Sequence, residues 1–297
     1  MQRYFKKVLI GLVGILIVML LIVTYQQADA LVHHPIDKRK PAKNYPQNLG
    51  LLVEEVSIFN ADGQKLHGYF SNTKNGAYVM LQHGFKASRG HMLEEAKILQ
   101  DEGFGLLVTS IRAHDLNDGD QITFGVREVD DIKAWHSYLL EQKDAQASKV
   151  GFLGNSMGAA IGLAYAAQNK NLAAVIAVSP FSSLQDTINE SVVYFTGLPA
   201  FPFANMIARW SEQILDMDME QVDSTRAAAL LCDTPLLIMQ GGEDIVVSVE
   251  SGQRIYDAAC GEKELWLEQT LGHAEFDSKM PQEFKRRVVD FFTRHLL

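Results

Sequence analysis

The residues that most narrow the folds open to this chain are Val150-Gly151-Phe152-Leu153-Gly154-Asn155-Ser156-Met157-Gly158-Ala159-Ala160. A short apolar run gives way to G-x-S-x-G, and the chain then reads as the opening of an alanine-rich helix. Glycines two before and two after the serine are what a sharp strand-to-helix turn needs, because its backbone leaves no room for Cβ atoms. Such a turn thrusts the Ser156 hydroxyl out at the helix N-terminus. The pentapeptide alone is a weak signal; the strand before it and the helix after it give it weight.

The surrounding sequence supplies a sheet to carry that turn. Residues 53–59 and 66–70 alternate apolar and polar side chains around Asp62-Gly63, a hairpin signal. Short apolar runs at 78–82, 106–109, 150–153, 173–178, 236–240 and 264–267 read as buried strands of a parallel sheet. Helices are expected at 92–100 and at 126–140, the second with an apolar face through Val129, Ile132, Trp135 and Leu139. Strand-helix alternation after a hairpin predicts an α/β fold: a mostly parallel sheet with an N-terminal antiparallel hairpin and helices on both faces. In such sheets the chemistry gathers at the carboxyl ends of the strands.

Two segments meet that condition. Gly241-Gly242-Glu243-Asp244 follows the run at 236–240, and Gly272-His273 follows the one at 264–267. A serine hydroxyl is a poor nucleophile at its own pKa and needs a base oriented by an acid. Ser156, Asp244 and His273 supply the three groups, in an order known for one α/β architecture.

In these features the chain resembles the α/β-hydrolase superfamily, in the branch that holds monoacylglycerol lipases, serine aminopeptidase-like proteins and membrane-anchored bacterial hydrolases. The resemblance runs from about residue 50 to the end. The family's G-x-x-D-x-x-V pattern falls on Gly241, Asp244 and Val247, favouring Asp244 over Glu243, and its G-H pair falls on Gly272 and His273. His83-Gly84-Phe85, after the run at 78–82, is similar to its H-G-x motif. The resemblance implies Ser156, Asp244 and His273 as the catalytic triad, and an oxyanion hole made by the N–H groups of Met157 and Phe85. His83 would brace the Phe85 loop. Gly125-x-x-Glu128-x-x-Asp131 resembles a family helix start with a structural role. Residues 110–117 depart from the family's Asp-x-Arg-Gly-His-Gly-x-Ser segment: Arg112 and His114 are kept and the glycines are not.

The implied activity is hydrolysis of a carboxylic ester or thioester, a lipophilic small molecule, through an acyl-enzyme. A serine aminopeptidase is the alternative, with Glu190, Glu212, Asp216 or Asp218 as an anchor for the substrate amine. A catalytically silent, membrane-tethered binding protein is a third reading. Nearly sixty residues separate the runs at 173–178 and 236–240, where this fold commonly hosts a helical cap, here about 181–230. Its apolar side chains, from Phe181 to Trp210, suit either a self-packing helical insert or an apolar roof over an acyl pocket.

The charge divides the chain. The formal net charge is −9, but residues 1–40 hold six basic and two acidic side chains, which leaves 21 against 34, or −13, for 41–297. An acidic body argues against nucleic acid as a partner. Residues 8–23 carry no polar side chain and follow Arg3, Lys6 and Lys7. As a helix this run spans about 24 Å, and Thr24 and Tyr25 extend it toward the ~30 Å of a bilayer core. Ala28-Asp29-Ala30 reads as a cleavage site. The expectation is a retained signal-anchor over 1–30, a linker over 31–50 and a hydrolase domain over 51–297. The protein would then be single-pass in the cell membrane with its domain extracytoplasmic; secretion after cleavage is the alternative. Cys232 and Cys260 each precede an expected strand, so neighbouring strands would permit a disulfide, and two free buried thiols are the other possibility. His33, His34, His83, His91, His114 and His136 lack metal-ligand spacing, and no phosphate-cradling loop occurs, so no metal or cofactor is expected.

Overall fold

A computed structural model describes residues 1–39, 45–142, 145–169 and 171–297. A long helix, α1 (Gln2–Val32), leads into a hairpin of β1 (Glu54–Phe59) and β2 (Lys65–Ser71). Strands and helices then alternate: β3 (Tyr78–Gln82), α2 (Leu93–Asp101), β4 (Gly105–Thr109), α3 (Glu128–Leu140), β5 (Val150–Asn155), α4 (Met157–Gln168) and β6 (Ala174–Val178). An insert follows with α5 (Leu184–Thr196), α6 (Ala200–Leu215) and α7 (Ser224–Ala228). The chain returns through β7 (Leu236–Gly241), α8 (Val249–Ala258), β8 (Lys263–Glu268), the single turn α9 (Phe276–Lys279) and α10 (Pro281–Leu296).

Among the described residues the strands form one eight-stranded sheet in the order β1-β2-β4-β3-β5-β6-β7-β8. β2 pairs antiparallel with β1 and β4, and every later pairing is parallel. Period-two burial explains why the central strands read as unbroken apolar runs: both of their faces are covered. Tyr78, Met80, Phe152, Val175 and Ala177 face a core shared with α3 and α4, whereas Val79, Leu81, Leu153, Ile176 and Val178 face one closed by α2 and α10. α10 reaches that second core through Phe284, Val288, Phe291 and Phe292.

α1 is long and apolar enough to cross a membrane. It continues well past the apolar run, and over its last turns Thr24, Ala28 and Val32, four residues apart, are buried against the body. Residues 32–39, expected as the start of a linker, are fastened to the loop after β4 instead. The Val32 carbonyl accepts from Ile122 N at 2.8 Å, the His34 imidazole bonds to the Ala113 carbonyl at 2.9 Å, and the Arg39 guanidinium donates to the carbonyls of Asn117 and Gly119. A chain with backbone carbonyls to satisfy and an arginine to satisfy them lies down rather than standing off. Residues 40–44 of the expected linker lie outside the described residues.

Cys232 and Cys260 form a disulfide, with Cα atoms 4.8 Å apart. They enter β7 and β8, which are adjacent and parallel, so both thiols arrive at the same end of the sheet. The bridge closes a 28-residue separation, and a loop of that size restrains the unfolded chain by about 3.6 kcal/mol. Urea unfolding of the Cys232→Ser/Cys260→Ser variant should therefore show a stability lower by about that amount. Equal midpoints for the two proteins would remove the bridge from the stability of the fold.

Candidate active site

Ser156 stands between β5 and α4 at φ 54° and ψ −116°, a conformation non-glycine residues rarely adopt. The turn holds because its neighbours lack side chains. A Cβ on Gly154 would lie 2.5 Å from the Gly158 backbone, and one on Gly158 would lie 2.4 Å from the Gln82 carbonyl oxygen. Ser156 N donates to the Val178 carbonyl at 2.8 Å, tying the turn to β6. The hydroxyl is presented at the start of α4, where the helix dipole favours negative charge.

Asp244 lies in the loop after β7 with its side chain wholly buried. Its Oδ1 accepts from Val246 N and Val247 N, each at 2.9 Å, and its Oδ2 accepts from His273 Nδ1 at 2.7 Å. A carboxylate can only accept here, so Nδ1 is the donating nitrogen. The loops bearing the two groups touch: a Cβ on Gly241 would lie 2.4 Å from the Gly272 carbonyl oxygen. The structure thus brings Asp244 and His273 together directly, while Ser156 makes no side-chain hydrogen bond to His273 among the described residues. Such contacts often tighten only when substrate is bound.

Phe85 follows β3 on a loop that passes beside the serine, since a Cβ on Gly84 would lie 3.2 Å from Ser156 Cβ. Met157 N opens α4, where no helical partner exists. Among the described residues neither Met157 N nor Phe85 N has a hydrogen-bond partner, although Met157 is buried. Two histidines hold the Phe85 loop. His83 Nε2 accepts from Ile111 N at 3.1 Å while its Nδ1 bonds to the Gly84 carbonyl at 2.8 Å. His114 Nε2 accepts from Lys86 N at 2.9 Å while its Nδ1 bonds to the Arg112 carbonyl at 2.8 Å. Each ring must be neutral to accept at Nε2. Burial lowers the His83 pKa to about 4 and that of His114 well below its ordinary value.

The segment that departs from the family pattern therefore keeps its bracing histidine. Arg112 is held in a buried pair with Asp131 at 2.6 and 2.7 Å. Glu128 accepts from Thr123 N and Gly125 N, both at 2.8 Å. Three supporting residues were not legible beforehand. Ser179 Oγ accepts from Ala274 N at 3.0 Å and Glu275 Oε2 from Gly272 N at 3.0 Å, and these two fix the His273 loop. Glu95, from α2, accepts from Asn155 Nδ2 at 2.8 Å, directly behind the serine turn. The acid three residues past Gly272 was the one available signal, since that spacing lets a side chain cap a turn.

Ser156 and Met157 open onto a cavity of about 490 Å³ whose remaining walls are mostly apolar, with uncharged Thr24, Gln27, Thr187, Ser191 and Thr196 among them. Phe85 and Phe124 stack at 5.6 Å on one side, α5 and α6 cover it with Ile188, Phe203 and Ile207, and α1 lines it through Val23, Thr24, Gln27 and Leu31. No charged side chain lines it among the described residues. Glu190 belongs to a neighbouring cavity, where its carboxylate accepts from Ser248 N at 3.1 Å, and Glu212, Asp216 and Asp218 line a separate surface groove.

The model of the prolyl oligopeptidase family matches residues 91–297. The uncharacterized protein Rv2307c of Mycobacterium tuberculosis is 27% identical over 224 residues, 74% of this chain and 72% of that one. The uncharacterized protein YqkD of Bacillus subtilis is 25% identical over 239 residues, 79% of this chain and 77% of that one. Among solved structures, the Pyrococcus furiosus esterase Pf2001 superposes with a TM-score of 0.75 at 25% identity, over 90% of this chain and 99% of that one.

Glu95 is fully buried, and its second carboxylate oxygen has no partner. Burial first, then the nearby Asp277, pushes its pKa up to about 8. The folded protein therefore keeps this proton over a range in which the unfolded chain has lost it. Stability from the group is complete below the ordinary glutamate range and is lost as pH rises through about 8. The melting temperature should fall from about pH 6 to about pH 9, and Glu95→Gln should flatten most of that fall. An unchanged slope in the variant would assign the pH dependence to other groups.

Proposed function

The chain belongs to the prolyl oligopeptidase family, and from that membership and its serine-hydrolase character we propose that it cleaves a lipophilic carboxylic ester or thioester. Ser156 Oγ attacks the carbonyl carbon as His273 Nε2 takes the hydroxyl proton, and Asp244 holds the imidazole and stabilises its charged form. The oxygen that gains negative charge sits between the N–H groups of Met157 and Phe85, each contributing about 3–4 kcal/mol to the transition state. Collapse breaks the C–O or C–S bond, and His273 returns the proton to the leaving alcohol or thiol. Water then attacks the acyl-enzyme by the same proton route, releasing the acid and free Ser156.

The observation that carries the ester reading is the wall of the cavity at Ser156, which offers acyl chains an apolar surface and offers a substrate ammonium no carboxylate. The family's name admits a peptidase. Of the acids that could anchor an amine, Glu190 comes nearest in sequence to the cavity wall, but it faces the neighbouring space. The insert over about 181–230 acts as the cap of this site in the monoacylglycerol-lipase manner. α1 is a retained, single-pass signal-anchor in this proposal, with the domain on the extracytoplasmic side, where a disulfide persists. Cleavage near Ala30 would strip buried Thr24 and Ala28 from the body, which supports retention over secretion.

A panel of p-nitrophenyl acyl esters set against aminoacyl-nitroanilides tests the reading. Esters should be turned over and anilides not, and turnover of anilides alone would transfer the site to the aminopeptidase alternative. Ser156→Ala should lower kcat by up to about a million-fold. A fluorophosphonate that labels the folded protein at Ser156 speaks against the silent binding protein, and failure to label would favour it.

A further inference from the structure

Membrane anchors are usually tethers, apart from the chemistry they deliver. Here the last turns of α1 run along α6 and are built into the body. Trp210 Nε1 donates to Thr24 Oγ1 at 3.2 Å, Tyr25 meets the Trp210 ring edge-on at 5.6 Å, and Lys86 Nζ donates to the Ala30 carbonyl at 2.6 Å. Lys86 is the residue after Phe85. Four side chains of α1 (Val23, Thr24, Gln27 and Leu31) line the cavity that holds Ser156.

The change from free to docked helix occurs at the mouth of that cavity. Residues 8–23 are exposed almost throughout, and burial begins at Thr24. With residues 8–23 in a bilayer, Val23 and Leu198 on the rim stand at the membrane surface. The end of α5 and the start of α6 expose further apolar side chains there: Tyr194 is 53% and Phe201 76% exposed, and Phe201 shares a groove with Leu21 of α1. Water gives no reason for these side chains to be apolar, and a lipid boundary does.

The geometry points to α1 as one wall of the acyl site as well as the anchor, with the substrate a membrane lipid ester whose chain enters sideways from the bilayer along that helix. This deepens the ester reading and rests on it. A tether alone would leave the acyl-chain preference untouched by side chains on α1. A wall sets it.

The test uses full-length protein in phosphatidylcholine nanodiscs. Gln27 is exposed at the cavity, so Gln27→Trp narrows it without disturbing the Trp210 contact. The ratio of kcat/KM for the dodecanoyl over the butanoyl p-nitrophenyl ester should fall about tenfold or more. Leu16→Trp, on the exposed part of α1, should leave the ratio as it is. An unchanged ratio in Gln27→Trp would reduce the helix to a tether. Binding of a fluorescent long-chain fatty acid to Ser156→Ala separates this inference from the ester reading, because it needs no catalysis. Weaker binding after adding Gln27→Trp supports the wall even if the wild type cleaves no ester, and equal binding overturns it. A long-chain monoester should be hydrolysed faster in the enzyme's own disc than in separate discs; equal rates would remove the lateral route.

Discussion

Gly158 lies where only hydrogen fits against the carbonyls of Gln82 and His83, and that contact fixes how β3, β5 and α4 meet. A turn with Ser156 at positive φ is unfavourable alone, by an amount on the order of 1–3 kcal/mol. It persists because the parallel pairing of β5 with β3 and β6 over-determines it, leaving the backbone nowhere else to go. The same closeness brings the Phe85 loop beside the serine through Gly84. Packing at one turn thus sets both the exposed hydroxyl and the position of the N–H groups next to it.

The sheet was readable because its strands are buried on both faces, and such runs announce themselves in composition. Expected and observed bounds agree within a residue or two, from β3 through β8. The serine turn, the acid loop and the imidazole loop were readable for a related reason: each needs glycines at fixed offsets, and close backbone contact leaves no substitute for them. What stayed hidden depends on partners distant in sequence. Nothing in Thr24, Ala28 and Val32 marks a docking face, because small side chains at helical spacing look the same toward lipid and toward protein. Arg39 reads in sequence as one more basic charge, and its carbonyl partners lie about eighty residues away. Glu95 resembled any surface glutamate on an amphipathic helix.

The histidines divide by the partner of Nε2. In His83 and His114 that nitrogen accepts a backbone N–H, and burial keeps the ring from charging, so both act as rigid struts over the working pH range. Among the described residues His273 is bonded through Nδ1 alone, to the buried Asp244 carboxylate. One residue type therefore serves as fixed scaffold in two places and leaves a ring nitrogen open in a third, and what differs is whether the second nitrogen is already occupied.

The disulfide joins the entries of β7 and β8, and the loops carrying Asp244 and His273 leave the same two strands at their far ends. Sliding one strand past the other by a single residue would displace these loops by about 3.3 Å and turn inward side chains outward. A covalent stop at the entry forbids that slip. Two sulfur atoms remote from the serine thus serve as an alignment pin: they hold the stagger of the ribbon, and with it the distance at which a carboxylate and an imidazole can share a proton.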